Sequence, residues 1–278
     1  SSKDRKLIGL VTIRDLIMAD SDDVLEDIMD EKPISVTTME DQEHVAQQFT
    51  RYDLLAMPVV DGEDRLVGIV TVDDVLDVMQ EEVTEDIEKM AAIVPADKPY
   101  LKLSTFELWK SRIPWLLLLM ISATFTGMII TRFEDALSKV VILTAYIPML
   151  MDTGGNSGSQ ASVTVIRGIS LGDVEFSDLL KVIWKEVRVA MAIGMTLACC
   201  NMLKLMIFDH LDLQVALVVC LTLLVTVFCA KLVGCTLPLF AFKLGFDPAV
   251  MASPFITTIV DAVSLLVYFQ FATRLLGI

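Results

Sequence analysis

The spacing of apolar and polar positions changes near residue 112. Ahead of it, apolar residues fall in short runs among many acids; behind it, they gather in long blocks. Five blocks, at about 113–131, 137–163, 187–208, 214–242 and 249–276, each approach the roughly 20 residues that a bilayer-spanning helix needs. In the front part, "PISVTT" and "MPVVD" read as strands, with "EDQEHVAQQFTRYD" between them as a helix. After the turn at Asp61-Gly62, "RLVGIVT" reads as a strand and "VDDVLDVMQ" as a helix. Part of this pattern occurs twice. "KLIGLVTIRDLI" (6–17) returns as "RLVGIVTVDDVL" (65–76), with Gly9 and Gly68, Thr12 and Thr71, and Asp15 and Asp74 in register. Such a repeat is one supersecondary unit used twice, and only the tail of the first copy is present. The pattern predicts an α+β module followed by an all-α polytopic membrane domain of five transmembrane helices.

Charge sharpens this division. Residues 1–90 hold 24 Asp/Glu and 8 Lys/Arg, and the remainder holds 13 and 14. So acidic a front repels nucleic acid and anionic headgroups and attracts cations. Nine basic residues (Lys98, Lys102, Lys110, Arg112, Arg167, Lys181, Lys185, Arg188, Lys243) flank the blocks on one side, against four on the other (Arg132, Lys139, Lys204, Arg274). The excess marks the cytoplasmic side, placing the acidic module inside and the C-terminus outside a cell membrane. No signal peptide opens the chain, and "SSKDRKLIGL" reads as a start within a longer protein. Five cysteines in apolar segments, without metal-ligand spacing, read as core residues with no disulfide. Enzymatic function is not expected: His44 and His210 are far apart, and no nucleophile–base set or zinc spacing accompanies them.

Three stretches carry candidate chemistry. From Asp73 to Glu88 there are eight acids and no base. Like charges one turn apart each cost roughly 0.2–0.5 kcal/mol. Such a run is either a solvated connector or a sensor for hard divalent cations, which take oxygen ligands; its position directly ahead of the membrane domain favours the sensor. At its head, Thr71 and Asp74 have the spacing of a helix-capping box.

The second stretch is "PMLMDTGGNSGSQ" (148–160). Gly154 and Gly158 have the G-x-x-x-G spacing of close helix packing, which leaves Asp152, Asn156 and Gln160 unexplained. An intramembrane acid costs at least about 2.5–3.5 kcal/mol and is a functional candidate. Gly154-Gly155 also permits a local break whose carbonyls face an ion. The third stretch is the last block, where Ser253, Thr257, Asp261, Ser264 and Tyr268 form one helical stripe, with Thr258 beside it. Asp261, the block's only acid, reads as a cation site, and Asp247 beside Pro248 as a second binding point. Lys231, deep in the fourth block, either snorkels, pairs with Asp152 or alters the electrostatics of a path.

The repeated unit resembles the cystathionine-β-synthase (CBS) regulatory module. By that resemblance 1–20 ends a first module and 21–80 is a second. Residues 81–112 are an acidic connecting "plug" helix and linker, and 113–278 the five-helix pore domain. The resemblance implies ribose recognition of an adenine nucleotide such as ATP, for which Thr71 and Asp74 are the candidates. "PMLMDTGGNSGSQ", "LVGCTLP" and "FDPAVMASPFITTIVDAVS", in that order behind the module and acidic helix, resemble the MgtE family of magnesium channels. This implies a homodimer in lipid with a pore on its axis. Asp261 would be the central pore carboxylate and Asp247 a metal-contacting acid at the pore mouth. Asn156, Gly154 and Gly155 would belong to the Gly-Gly-Asn pore segment, with Thr257 and Thr258 lining the path. Regulatory Mg²⁺ would sit at Asp53, Asp74, Asp77, Glu82, Glu85 and Asp86, with Asp41 and Glu43 as weaker candidates. Two departures stand out: most of the first module is missing, and Lys231 takes a place expected to be uncharged. The competing readings are an alternating-access divalent-cation carrier and a membrane-anchored, non-conducting sensor of cations or nucleotides. Hard oxygen sites accept Mg²⁺, Mn²⁺ and Co²⁺ alike.

Overall fold

The computed structural model describes residues 4–96, 98–251 and 253–277, which form two compact units, 1–84 and 85–278. In the first unit α1 (Ile13–Met18) and α2 (Leu25–Ile28) precede β1 (Val36–Thr37), α3 (Gln42–Tyr52), β2 (Ala56–Val60), β3 (Leu66–Thr71) and the start of α4 (Val72–Met90). The sheet order is β1-β2-β3, with β1 parallel and β3 antiparallel to β2. The expected "PISVTT" strand shrinks to two residues, pairing only with Val59 and Val60. Pro58, which has no N–H to donate, therefore lies beside unpaired backbone on that side.

Local chemistry sets the helix ends. The Asp41 carboxylate accepts from the Glu43 N–H at 2.9 Å to start α3, and Asp53 ends it in the left-handed region, φ 51°, which Asp tolerates better than most residues. Val36, Ala46, Phe49, Met57 and Val75 close a small core between sheet and helices. The repeat is visible in its caps. The Thr12 hydroxyl donates to the Asp15 carboxylate at 2.6 Å, and Thr71 donates to Asp74 at 2.7 Å. Among the described residues, the strand-like half of the first copy pairs through isolated bridges, Lys6–Arg65 and Leu10–Asp30.

The second unit holds the end of α4, then α5 (Thr105–Arg132), α6 (Glu134–Lys139), a 3-10 turn (Val141–Tyr146) and α7 (Ile147–Ser170). A further 3-10 turn (Phe176–Asp178) leads into α8 (Leu179–Ile207), α9 (Leu213–Lys243), a last 3-10 turn (Pro248–Met251) and α10 (Ser253–Leu276). Ser104 and Glu107 form a reciprocal capping box that fixes the start of α5. α9 lies at the centre, packed against α7, α8 and α10, with Val218, Val219, Val227 and Leu239 fully buried. At the far end, the Tyr268 hydroxyl donates to the Leu143 carbonyl at 2.9 Å, and Phe133 stacks on Phe269 at 4.5 Å between centroids.

Among the described residues four helices, 105–132, 176–207, 213–243 and 248–276, are long and apolar enough to cross a membrane. Of the five spans expected, four helices meet this measure of length and hydropathy. The second block is not one span: 137–163 divides into α6, a 3-10 turn and most of α7. At 24 residues, α7 would reach about 36 Å; polarity rather than length keeps it out of that group of four. The cysteines are unpaired, as expected, but only Cys220 and Cys235 are buried; Cys199 and Cys200 are exposed on α8.

Candidate functional site

α7 has two faces of opposite character. Gly154, Gly155, Ser157, Gly158, Ala161 and Ser162 are buried, whereas Asp152, Asn156 and Gln160, one turn apart, are exposed. On the buried face a methyl added at Gly154 would lie 2.6 Å from Thr226 Cγ2 and 2.8 Å from Val260 Cγ1. One at Gly158 would lie 2.6 Å from Ile256 Cγ2, and one at Gly155 2.9 Å from Thr257 Cγ2. Gly234 of α9 meets the Gly158 carbonyl directly. The glycines therefore seat α7 against α9 and α10. The expected break at Gly154-Gly155 does not occur: α7 is continuous there, and the Gly155 carbonyl accepts from the Ser159 hydroxyl at 2.9 Å. The carbonyls stay in the helix ladder, and the two glycines lie against Thr226, Val260 and Thr257.

Asp261 projects from α10, partly buried, and Asp152 of α7 is close enough for their charges to repel. Among the described residues neither carboxylate has a hydrogen-bond or ion-pair partner. Thr257 and Thr258, one turn earlier, both donate to the Pro254 carbonyl in the first turn of α10, at 3.0 and 3.1 Å. The expected single stripe splits. Ser264 is buried and donates to the Val260 carbonyl at 2.6 Å, and Tyr268 enters the core. The Ser253 side chain lies outside what is described.

Lys231 neither snorkels nor meets Asp152. Its ammonium, nearly buried, faces Glu186 of α8 at 3.7 Å, and the Glu186 Oε2 atom has no hydrogen-bond partner among the described residues. Glu186 escaped the sequence reading inside the basic flank "KEVR". Its one signal was that it is the only acid of α8, while α9 carries a lysine away from its ends.

Of the acidic run, Asp74 holds Thr71, while Asp77 is exposed on α4 and Asp53 at the end of α3. The Gln42 amide donates to Glu82 at 2.7 Å. Glu85 and Asp86 lie in the second unit. The Ser170 hydroxyl donates to Asp86 at 3.3 Å, and Lys89 ion-pairs with both Glu85 and Asp247. Met90 packs with Ile166 and Ala249. Among the described residues no three His, Cys, Asp or Glu side chains converge to hold a metal. Asp247 is ready for a cation, and in this chain Lys89 supplies it. The sequence reading stopped at Glu88, one residue short.

Two family profiles match the chain: "MgtE: Divalent cation transporter" over residues 147–271 and "CBS domain" over 25–81. The magnesium transporter MgtE of Thermus thermophilus is 40% identical over 271 residues, covering 98% of this chain and 60% of that protein. Its namesake from Bacillus subtilis is 37% identical over 278 residues, covering 98% and 60%. This chain thus spans about three fifths of the length of those relatives. A crystal structure of the cytosolic domain of the Mg²⁺ channel MgtE in complex with ATP is 53% identical, with a TM-score of 0.26, over 27% of this chain and 30% of that one.

Proposed function

From the premise that this chain belongs to the MgtE family, we propose that it forms the pore-bearing part of a magnesium-selective channel. The observation that carries this reading is a pair of carboxylates without a partner among the described residues, Asp261 and Asp152, with Asn156 and Gln160 beside Asp152 on the open face of the neighbouring helix. A face this polar in a bundle this apolar is unstable in lipid. A second copy of the chain, related by a two-fold axis, would cover it and bring two Asp261 carboxylates to one path. In this arrangement α7 crosses the membrane as a fifth helix, shielded by its partners, with the CBS module cytoplasmic and the C-terminus outside.

Mg²⁺ dehydrates reluctantly and uses only one or two carboxylates, keeping several waters. Paired Asp261 groups meet that demand through the ion's water shell, with Asn156 accepting hydrogen bonds from those waters. Several weak sites allow both capture and release. Gly154 and Gly155 serve this path by spacing the helices, and Thr257 and Thr258 border it.

Gating follows from the acidic helix. Cytosolic Mg²⁺ bound at Asp53, Asp74, Asp77, Glu82, Glu85 and Asp86 would offset the negative charge these acids carry and favour the closed arrangement. Because the acids form no three-ligand cluster, each regulatory ion would be held by one or two carboxylates and its own waters. A nucleotide at Thr71 and Asp74 would compete with their mutual hydrogen bond, which makes ATP secondary in this scheme.

Uptake by proteoliposomes of Mg²⁺, Mn²⁺, Co²⁺ and Ca²⁺ in parallel tests the reading. Asp261→Asn keeps size and removes charge, so it should abolish most Mg²⁺ uptake at matched protein content, with Asp152→Asn less affected. Wild-type uptake in Asp261→Asn would remove that carboxylate from the mechanism.

A further inference from the structure

The first turns of α8 carry a basic stripe on the side away from the bundle. Lys181, Lys185 and Arg188, at helical spacing, are all exposed, with Trp184 exposed beside them. The opposite face of α8 is the packed one: Glu186 faces Lys231, Gly194 lies against Leu224, and the Asn201 amide donates to Cys220 Sγ at 3.8 Å. Lys181 pairs with Asp178 at 2.7 Å. Lys185 and Arg188 have no hydrogen bond or ion pair among the described residues. One turn apart, their charges repel, and an anion between them would remove that cost. Beyond Arg188 the same stripe turns apolar, through Met195, Cys199 and Leu203, all exposed. From Arg188 to Ile207, where α8 ends, the helix rises about 28 Å, close to the roughly 30 Å of a bilayer's hydrocarbon core. Arg188 thus falls at the edge of the hydrocarbon, with Lys181, Trp184 and Lys185 in the headgroup layer, where tryptophan rings gather.

We propose that this face of α8 binds an anionic phospholipid. Its phosphate lies between Lys185 and Arg188, the Trp184 ring packs at headgroup level, and an acyl chain follows Met195, Cys199 and Leu203. Arg188 offers a planar fork to two phosphate oxygens, and Lys185 a point charge. A free phosphate ion would use the basic turns and leave the apolar track empty; a lipid uses both. A second copy of the chain would have to bring acids to this face, and the face assigned to it above is that of α7. The lipid site lies on α8, away from Asp261, and is independent of whether the chain conducts.

Quenching of Trp184 fluorescence by lipids with brominated acyl chains tests the site. Trp109→Phe and Trp115→Phe leave Trp184 as the single tryptophan of the full chain, studied in uncharged detergent. At about fivefold per basic residue near a membrane surface, phosphatidylglycerol should quench at about 25-fold lower mole fraction than phosphatidylcholine with the same chains. Lys185→Gln with Arg188→Gln should remove most of that difference, whereas Lys185→Arg with Arg188→Lys should keep it. Both positions are exposed, so unfolding midpoints should match in the two double variants. Inorganic phosphate should not displace the lipid at millimolar concentration, against chloride of equal ionic strength. Equal quenching by the two lipids, or a preference that survives the glutamine variant, overturns the proposal. Displacement by inorganic phosphate would make this a site for the free anion, and no quenching by either lipid would mean that a second copy covers the face; each also overturns it.

Discussion

Replacing Gly158 by alanine tests the α7 seam most directly. The added methyl would stand 2.6 Å from Ile256 Cγ2 and 3.1 Å from the Ala230 carbonyl oxygen. Carbon atoms prefer about 3.5–4.0 Å, so about 1 Å of overlap must be relieved. Ile256 is fully buried, and the Ala230 oxygen belongs to the α9 backbone, so neither yields as a flexible side-chain tip would. Forcing a methyl into such a site costs about 1–3 kcal/mol. Against this, alanine is better than glycine in a helix by up to about 1 kcal/mol. The net expectation is a loss of about 1–2 kcal/mol. Gly127 of α5 is the control, since nothing lies within 4 Å of a methyl added there; Gly127→Ala should be neutral or stabilising. The assay is thermal unfolding of both variants in the same detergent. Equal unfolding midpoints for Gly158→Ala and Gly127→Ala would refute the claim that the glycines set the approach of α7 to α9 and α10.

Lys231→Met leaves the Glu186 carboxylate buried and unpaired, so it should destabilise by about 3–5 kcal/mol. Adding Glu186→Leu should recover most of that loss in the same unfolding assay; a double variant as unstable as the single one would disprove the pairing. Asp61 accepts backbone hydrogen bonds from Arg65 and Glu63, which hold its carboxyl below the usual carboxylate range. A depressed native value means that its support for the β2–β3 turn is complete above the ordinary carboxylate pKa and fades as pH falls through the depressed one. Asp61→Asn should flatten the acid limb of unfolding followed in the first unit, and an unchanged limb would count against it.

The features legible in the sequence were those decided locally. Thr71 and Asp74 form the expected cap because capping depends on three-residue spacing and little else. Asp261 and Asn156 were visible because polar groups are rare in apolar blocks. The glycines of α7 were visible as a motif, but their role was not, because G-x-x-x-G spacing does not say whether the chain breaks or a neighbour moves in. Here Thr226, Val260 and Ile256 moved in. The partner of Lys231 lies 45 positions away on another helix, and periodicity within one helix cannot report it. Lys89 went unread for a similar reason: beside so many acids it looked like an ordinary helix-surface pair with Glu85. Asp247, its second partner, enters only through the tertiary fold.

The mismatch between the length of α7 and its polarity bears on how the protein is made. On the five-span reading, α7 leaves the ribosome before the two helices that cover its glycine face, α9 and α10. Its own composition gives an insertion machinery little reason to release it into lipid, since Asp152, Asn156 and Gln160 lie along one side of it. The helix must wait at the aqueous boundary until about a hundred more residues have been synthesised. On that reading, membrane assembly of this chain would not be strictly sequential: its second crossing would be completed among its last.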